Sequence, residues 1–496
     1  MVDSLRELWL RGLAFNPAAP SDLLILLLDQ GGEVGLEMCK DRALPDAVID
    51  AALSHPAVAV RGALARNLRI DPVRLTPLAT DRSGLVRARL AGGINTGFER
   101  DRMVRWVRPL PDDILVTLLT AQEAGEDGMV DTNDILWELE SSRQIPPSFE
   151  ASLAGREHPE LRIRATRYWG SLTPEEQAGL LDDPDPAVRE AARESSWVLD
   201  AERVEARLSS YRPHNRGFIY SSCALTPALV EQCFTDGMED QLTLNPHAPA
   251  DALARLAHHP EARIRARIAL RPDLGPDLVA ELAADSDEDV RLCARLHAFS
   301  HTWVEYAMLR EAVEHGPNCA CPFAEPARRP SADWYAACAS SGEPALRRAA
   351  ASWPGLPDPL VAELALDEDE EVRIRLACYH PEAPSQLLLD VFLARPAHRP
   401  HLLTLPHFPT TGLAHLIDDP DPEVRVLAAA DPALATPPVD DPDDAVRRAA
   451  AANPGLAPHT LETLLGDPRT AEGAAANPAL TLSRMHALID DCFSAR

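Results

Sequence analysis

The chain has 496 residues, 46% of them hydrophobic but only 5% aromatic, and a formal net charge of −29 with Lys40 as its sole lysine. That length supplies a large core, while so acidic a surface repels phosphate backbones and makes nucleic acid an unfavoured partner. The nine cysteines are scattered without a disulfide framework, no run of about 20 apolar residues suggests a membrane span, and Met1–Leu8 lacks the basic and apolar regions of a signal peptide, so a cytoplasmic location is expected.

Ala and Leu dominate the apolar residues, which favours helices over strands. The 45 prolines are too many for helix interiors, so the helices must be short and often restarted.

In chain order, the first block, 1–91, opens the pattern that recurs throughout. A Pro precedes a Leu-rich run, as at Pro45 and Pro72, and suits the first turn of a helix, where no N–H is needed. About ten residues later comes an Asp, His or Ser, followed after six more by an Arg: His55 with Arg61, then Asp81 with Arg87. Asn16-Pro17 marks the stop of a helix before the next unit.

Segment 92–150 loses the Arg anchor. It holds Gly92-Gly93-Ile94-Asn95-Thr96-Gly97 and an acidic run, Glu123 to Gly128. No Lys-Ser/Thr follows the glycines, so no phosphate loop is implied. The segment reads as a surface insertion, with a partner-binding loop as the sharper alternative. The pattern resumes at His158 with Arg164 and Asp183 with Arg189. It lapses again at Tyr211 to Cys223, a basic, aromatic island in an acidic chain. Tyr and Arg are enriched at binding hot spots, so Tyr211, Arg212, Arg216, Phe218 and Tyr220 are the candidate partner-binding residues. The plainer reading is a long turn with packed aromatics.

From 245 onward the units are regular. Asn245-Pro246 and Pro249 lead to His259 with Arg265, Pro276 to Asp285 with Arg291, and Pro357 to Asp367 with Arg373. Ser341 with Arg347, Asp419 with Arg425 and Asp441 with Arg447 complete the set, and Pro384, Pro409 and Pro458 start further units. Asp367 is expected to cap its helix, with Glu370 three residues on as in a capping box. Where the first and last units should carry the Arg they carry Gly35 and Gly473. If each Arg reaches an acidic group or carbonyl in a neighbouring unit, terminal units lacking a neighbour can dispense with it.

The spacing of the arginines, 61 to 87, 265 to 291 and 347 to 373, gives a period of 26. Each unit is too small to bury its own apolar face, so stacking must make the core continuous. About fifteen units are expected, in an N-terminal block (1–91), a degenerate middle (92–244) and a C-terminal block (245–496) of one continuous all-α solenoid.

The run of Asn-Pro, Pro, Leu-rich helix, Asp and Val-Arg from Asn245 to Arg291 resembles the leucine-rich-repeat-variant family and, more loosely, HEAT repeats. That resemblance implies paired short helices in a right-handed superhelix and no catalytic activity. The family's iron–sulfur domain is not implied, because the first 200 residues hold only Cys39.

Two further clusters stand out. Cys319 and Cys321, with His301, His315 and Cys338 nearby, are the one metal-like constellation, but a single Cys-x-Cys is weak. Buried thiols are the expected outcome, and no cofactor is assigned. Arg395, His398, Arg399, His401 and His407 read as a solvated connector. The acidic clusters at Asp182-Asp183, Asp367 to Glu371, Asp418 to Asp421 and Asp440 to Asp444 share one phase and should line one edge.

No Gly-x-Ser-x-Gly, His-Glu-x-x-His, Walker or nicotinamide motif occurs. The expectation is therefore a non-catalytic protein-binding scaffold or adaptor. Its partner would be a protein or peptide, a basic one being easiest to accommodate. The alternative is an enzyme accessory or a HEAT-like nucleic-acid-processing protein, which would need a basic groove.

Overall fold

The structure is a computed structural model, and it describes residues 2–93, 109–121, 130–142, 144–212, 216–314 and 329–493. Every regular element among them is a helix, and most are six to ten residues long. The chain groups into two compact units. Unit 1 comprises 1–145, 388–396 and 403–496, and unit 2 comprises 146–387 and 397–402. These boundaries differ from the three sequence blocks, because unit 1 gathers segments from both ends of the chain.

The helix pairs are built as the prolines suggest. Pro72, Pro276 and Pro458 occupy the first helical position, while Pro45, Pro249 and Pro357 sit one residue earlier with extended backbone. In the unit beginning at Ala250, the first helix buries Ala252, Leu253, Leu256 and Ala257, and the second, Ala262–Ala269, buries Ile264, Ala266, Ile268 and Ala269. Alanines on the contacting faces let such short helices approach closely enough to fill the core without aromatics.

The Asp-x-Asp pairs divide two tasks. The first Asp accepts the N–H two residues on: Asp285 from Asp287, Asp367 from Asp369, and Asp441 from Asp443, each at 2.8 Å. The second is the helix cap, Asp369 accepting from the N–H of Val372 at 3.1 Å. Asp367 is therefore not the cap expected from the sequence. It closes the turn before the helix, an Asx turn, with its carboxylate still open to a neighbour.

That neighbour is an arginine of the preceding repeat. Arg61 grips Asp81 through two N–H donors at 2.7 and 3.0 Å, and its third donor reaches the carbonyl of His55 at 2.7 Å. Arg265 holds Asp285 and the His259 carbonyl in the same way, Arg347 holds Asp367 and Ser341, and Arg425 holds Asp441 and Asp419. The fork-to-carboxylate geometry is the strong kind of ion pair.

The next arginine stays at home. Arg189, Arg291, Arg373 and Arg447 donate to the backbone carbonyls of Asp183, Asp285, Asp367 and Asp441 in their own turns. One residue was misplaced by the spacing. Asp183 is held by Arg162, at 2.7 and 2.9 Å, rather than by the expected Arg164, because Arg162 also takes the Arg156 and Glu157 carbonyls that define the turn. Arg164 is buried in the same helix. Arg87 is likewise buried.

His replaces Asp in some turns, and the rung then runs backwards. The Nδ1 atoms of His55 and His259 accept the N–H groups of Ala57 and Glu261, both at 3.1 Å. The proton is therefore on Nε2, which donates to Asp29 at 3.1 Å and to Glu239 at 3.4 Å in the preceding repeats.

A second ladder closes the helix ends, whose last carbonyls have no partner in their own helix. Asn453 donates to the carbonyls of Ala429 and Asp431, both at 2.8 Å, and Asn477 to those of Ala451 and Asn453 at 2.9 and 2.7 Å. Asn245 does the same in unit 2. In unit 1 the sequence of rungs runs on across the chain ends: Asn16 donates to the carbonyls of Ala475 and Asn477 at 2.8 and 2.7 Å, Arg42 to Ala14, and Asn67 to Cys39 and Arg42.

The glycines at the two ends therefore do not mark missing neighbours. A Cβ on Gly473 would collide with the carbonyl oxygen of Arg448, and one on Gly35 with that of Leu27. These helices pass too close to their neighbours for any side chain, which is why the arginine is lost there.

Candidate functional site

The Tyr211–Tyr220 island turns out to be a rung of the ladder. Arg216 forms an ion pair with Asp236, twenty residues on, at 2.9 Å, the same spacing as Arg61 to Asp81. Its Nε also donates to the Tyr211 carbonyl. Tyr220 is fully buried and donates its hydroxyl to the same Asp236 oxygen at 2.7 Å, while Gln232 donates to the other at 2.8 Å. Three donors on one carboxylate hold its pKa below the usual range, and burial beside that charge pushes the Tyr220 phenol well up. Arg216 and Tyr220 are thus engaged inside the fold and are not free for a partner. Arg212 and Phe218 are exposed, and Tyr211 is half-buried. The ladder does not lapse at 200–245 as the sequence suggested. Its Arg stands five residues after Tyr211 rather than six after an Asp or His.

Nearby, Arg207 stacks over the Trp197 ring at 4.5 Å and Arg255 over Phe234 at 3.6 Å. With Arg216 paired to Asp236, the described residues around 205–220 present no row of open guanidinium groups.

The other sequence candidates fare differently. Ile94–Gly97, the acidic run 123–128, His315, Cys319 and Cys321 lie outside the described residues. Cys338 is buried, which raises its thiol to about 12. No group of three or more His, Cys, Asp or Glu side chains with metal-binding geometry occurs among the described residues. The 395–407 segment is packed in part, for Arg399 is buried and the His401 Nε2 lies 2.9 Å from the Cys378 carbonyl, while His407 is exposed as a solvated connector would have it. Burial lowers the His401 pKa to about 4.

Within the acidic clusters the structure separates structural carboxylates from surplus ones. Asp183, Asp185, Asp367, Asp369, Asp419, Asp421, Asp441 and Asp443 each accept backbone N–H groups. Of these, Asp183, Asp367, Asp369 and Asp441 also take an arginine fork. Their neighbours Asp182, Glu368, Asp418, Asp440 and Asp444 face solvent. The Glu368 side chain is 89% exposed yet lies 3.6 Å from Arg347, and that of Asp444 is 83% exposed yet pairs with Arg447. Unit 1 thus carries Asp418, Asp440 and Asp444 beside its rungs, and unit 2 carries Asp182 and Glu368.

A further cluster, in unit 2, escaped the sequence reading. The Trp303–Glu314 helix presents Glu311 and Glu314 one turn apart. Glu314 receives the Arg267 fork, and Arg310 lies 3.6 Å from it. Arg267 also faces Asp240 at 3.7 Å. Glu311 faces Arg375, whose Nε donates to the buried Glu371 at 3.0 Å. Arg348 completes the cluster with a fork to Asp369 at 3.0 and 2.6 Å. Burial lifts the Glu371 carboxyl above its ordinary value, and Arg375 partly offsets that. The signal was present in Arg265-x-Arg267 and Arg373-x-Arg375: a second arginine, two residues past the rung, lies on the other side of the helix. Each arginine here faces a carboxylate, five carboxylates standing against four arginines, and the cluster joins several repeats.

No helix among the described residues is long and apolar enough to cross a membrane. No family model matches the chain, and no curated protein does. Among solved structures, the crystal structure of an engineered protein aligns over 98% of this chain and 98% of its own, at 14% identity and a TM-score of 0.13. So low a score bears on neither fold nor function.

Proposed function

We propose that the protein is a non-catalytic scaffold that binds basic proteins or peptides along the acidic edges of its helical repeats. The observation that carries this reading is the division of labour in the Asp clusters. The rungs and caps consume their own carboxylates, yet each cluster adds at least one more that faces water. Glu368 and Asp444 each lie beside an arginine of the ladder, but Asp182, Asp418 and Asp440 stand exposed next to other carboxylates, and such closely spaced charges attract cations and steer a basic partner. The leucine-rich-repeat-variant resemblance, with its 26-residue period, supports a binding role of the same kind.

The test leaves every rung intact. Asp182→Asn, Asp418→Asn and Asp440→Asn are combined in one chain, and binding of an arginine-rich peptide is followed by fluorescence anisotropy. The native chain is expected to bind with an affinity that falls steeply between 50 and 300 mM salt, about a Debye-length effect, and the variant to bind at least about tenfold more weakly at 50 mM, at an unchanged melting temperature. Equal affinity of both chains for that peptide would refute the acidic-edge reading.

A further inference from the structure

The strongest unassigned feature is in unit 1, where one helix pair is split between the two ends of the chain. Repeats near the C-terminal end follow a fixed order: first helix Pro458–Leu465, second helix Ala471–Ala476, then Asn477-Pro478. The next first helix is Leu482–Phe493. Its second helix is supplied by Val2–Phe15, which ends in Asn16-Pro17 as the Ala471–Ala476 helix ends in Asn477-Pro478.

The register of this split repeat is that of an ordinary one. Gly473 abuts the carbonyl of Arg448 and the Cβ of Ala451, and Gly12 abuts the carbonyl of Glu472 and the Cβ of Ala475. Asn477 reaches back to Ala451 and Asn453, and Asn16 to Ala475 and Asn477. Two further contacts hold the split repeat. The Trp9 indole N–H donates to the Leu465 carbonyl at 2.9 Å, and the Cys492 thiol lies 3.7 Å from the Arg6 carbonyl. On its other side the first helix passes the ladder on, the Ala14 carbonyl accepting from Arg42 at 2.6 Å.

The stacking contacts match those of an interior joint, but the connectivity does not. The helices from Asp444 to Phe493 are tied to one another by turns of a few residues, so a joint between them that opens recloses at high effective concentration. Asn16 and Ala475 are 459 positions apart in the chain, and loop-closure entropy grows with that length. In a stack stabilised by nearest-neighbour contacts, the joint without a covalent tie is the one that opens first.

We propose that the Val2–Phe15 and Leu482–Phe493 helices form a clasp: the split repeat opens as a unit, releases the first helix from the Ala471–Ala476 helix, and parts the two arms of unit 1 while their other repeats stay folded. The face it uncovers is a small-residue groove, with Gly473, Ala474 and Ala475 buried in the closed state. The occupant of that groove is the chain's own first helix, recognised by Trp9, Gly12 and Asn16.

The full chain tests this by hydrogen exchange read by mass spectrometry. Amides of Val2–Phe15, Ala471–Ala476 and Leu482–Phe493 are expected to exchange together, at least tenfold faster than those of Asp444–Ala451 and of the Val58–Leu64 helix. Gly12→Leu should accelerate the first three helices further and leave the other two unchanged. Exchange of all five at one common rate in the native chain overturns the clasp, as does acceleration of all five by Gly12→Leu. A second measurement adds a peptide of residues 2–18 to a chain starting at residue 19. Saturable binding lost on Asn16→Ala in the peptide supports the clasp, and no binding to a truncated chain with native helical content refutes it. If the truncated chain does not fold, the exchange experiment alone decides.

Discussion

At the scale of single residues, the arginines split into two classes that look identical in sequence. Arg347 bridges repeats and is largely buried with Asp367, their side chains being 11% and 5% exposed. Removing it strands a buried carboxylate, which typically costs about 3–5 kcal/mol. Arg291 closes only its own turn, so its loss removes two charge-assisted bonds to carbonyls and should cost about 1–2 kcal/mol. Denaturant titration of Arg347→Ala and Arg291→Ala is therefore expected to show the first as the more damaging by at least about 1 kcal/mol. Arg347→Lys should recover only part of the loss, because an ammonium cannot fork. Equal losses for the two alanine variants would mean that the bridge to Asp367 adds nothing to the closed turn.

Asp431 shows how one atom type changes a rung. It stands before Pro432 where other units carry Asn, and it is fully buried. Its carboxylate accepts the N–H groups of Leu413 and Ala414 at 2.6 and 3.0 Å and of Ala433 at 2.9 Å. An Asn here would offer one acceptor and bring an NH₂ against those donors. Those N–H groups hold the carboxyl below its usual pKa. Asp431→Asn is expected to destabilise unit 1 by about 2 kcal/mol, a buried donor clash, although Asp and Asn are isosteric. A melting temperature unchanged by the substitution would show that the carboxylate charge is not needed there.

At the scale of elements, the repeat phase was legible because its signals are local. Pro, Asp and Arg act within one turn of each other, and their spacing survives in sequence. What escaped was set by contacts between turns. Asn67 does the work of Asn453 without a following Pro, so the Asn-Pro signature passed over it. Arg162 displaced Arg164 because the turn before it is two residues earlier. The Glu314–Arg267 and Glu311–Arg375 pairs depend on which side of a helix meets which neighbour, and no spacing states that. The joint of Asn16 with Ala475 lay beyond any local pattern. The Asn rungs carry an elementary prediction: Asn453→Ala strands two buried carbonyls and should lower stability by about 2–3 kcal/mol. Asn453→Asp should be at least as harmful, since it sets a carboxylate against carbonyl oxygens. If thermal melts of Asn453→Asp matched the native chain, the donor role assigned to the side chain would be wrong.

At the scale of the whole molecule, the titratable groups bound a pH plateau from both sides. Burial depresses the pKa of His247, His297 and His380, and takes that of His401 to about 4. An unfolded chain takes up these protons near pH 6.5, before the folded chain does. Stability therefore falls as pH drops from about 6.5 toward 4, and His401 alone accounts for on the order of 2–3 kcal/mol of it. Below that, the depressed carboxylates take over: Asp183, Asp236, Asp369, Asp431 and Asp441, with Asp285 at about 2. Their stabilisation is present above the ordinary carboxylate pKa and disappears as pH falls through their folded values. On the alkaline side, the seven described cysteines are buried, and burial raises Cys39, Cys223, Cys293, Cys338 and Cys378 to about 12 and Cys492 to about 11. Unfolded thiols ionise from about pH 8.5, so folding stability is full below that and falls as pH rises toward the folded values. The melting temperature should thus be flat between about pH 6.5 and 8.5 and decline on both sides. His401→Gln should shallow the decline between pH 6.5 and 4 while leaving the alkaline limb untouched. Calorimetric scans at half-unit intervals measure both limbs. A native chain whose melting temperature held constant from pH 7 down to 4.5 would show that these histidines are not buried in their neutral form.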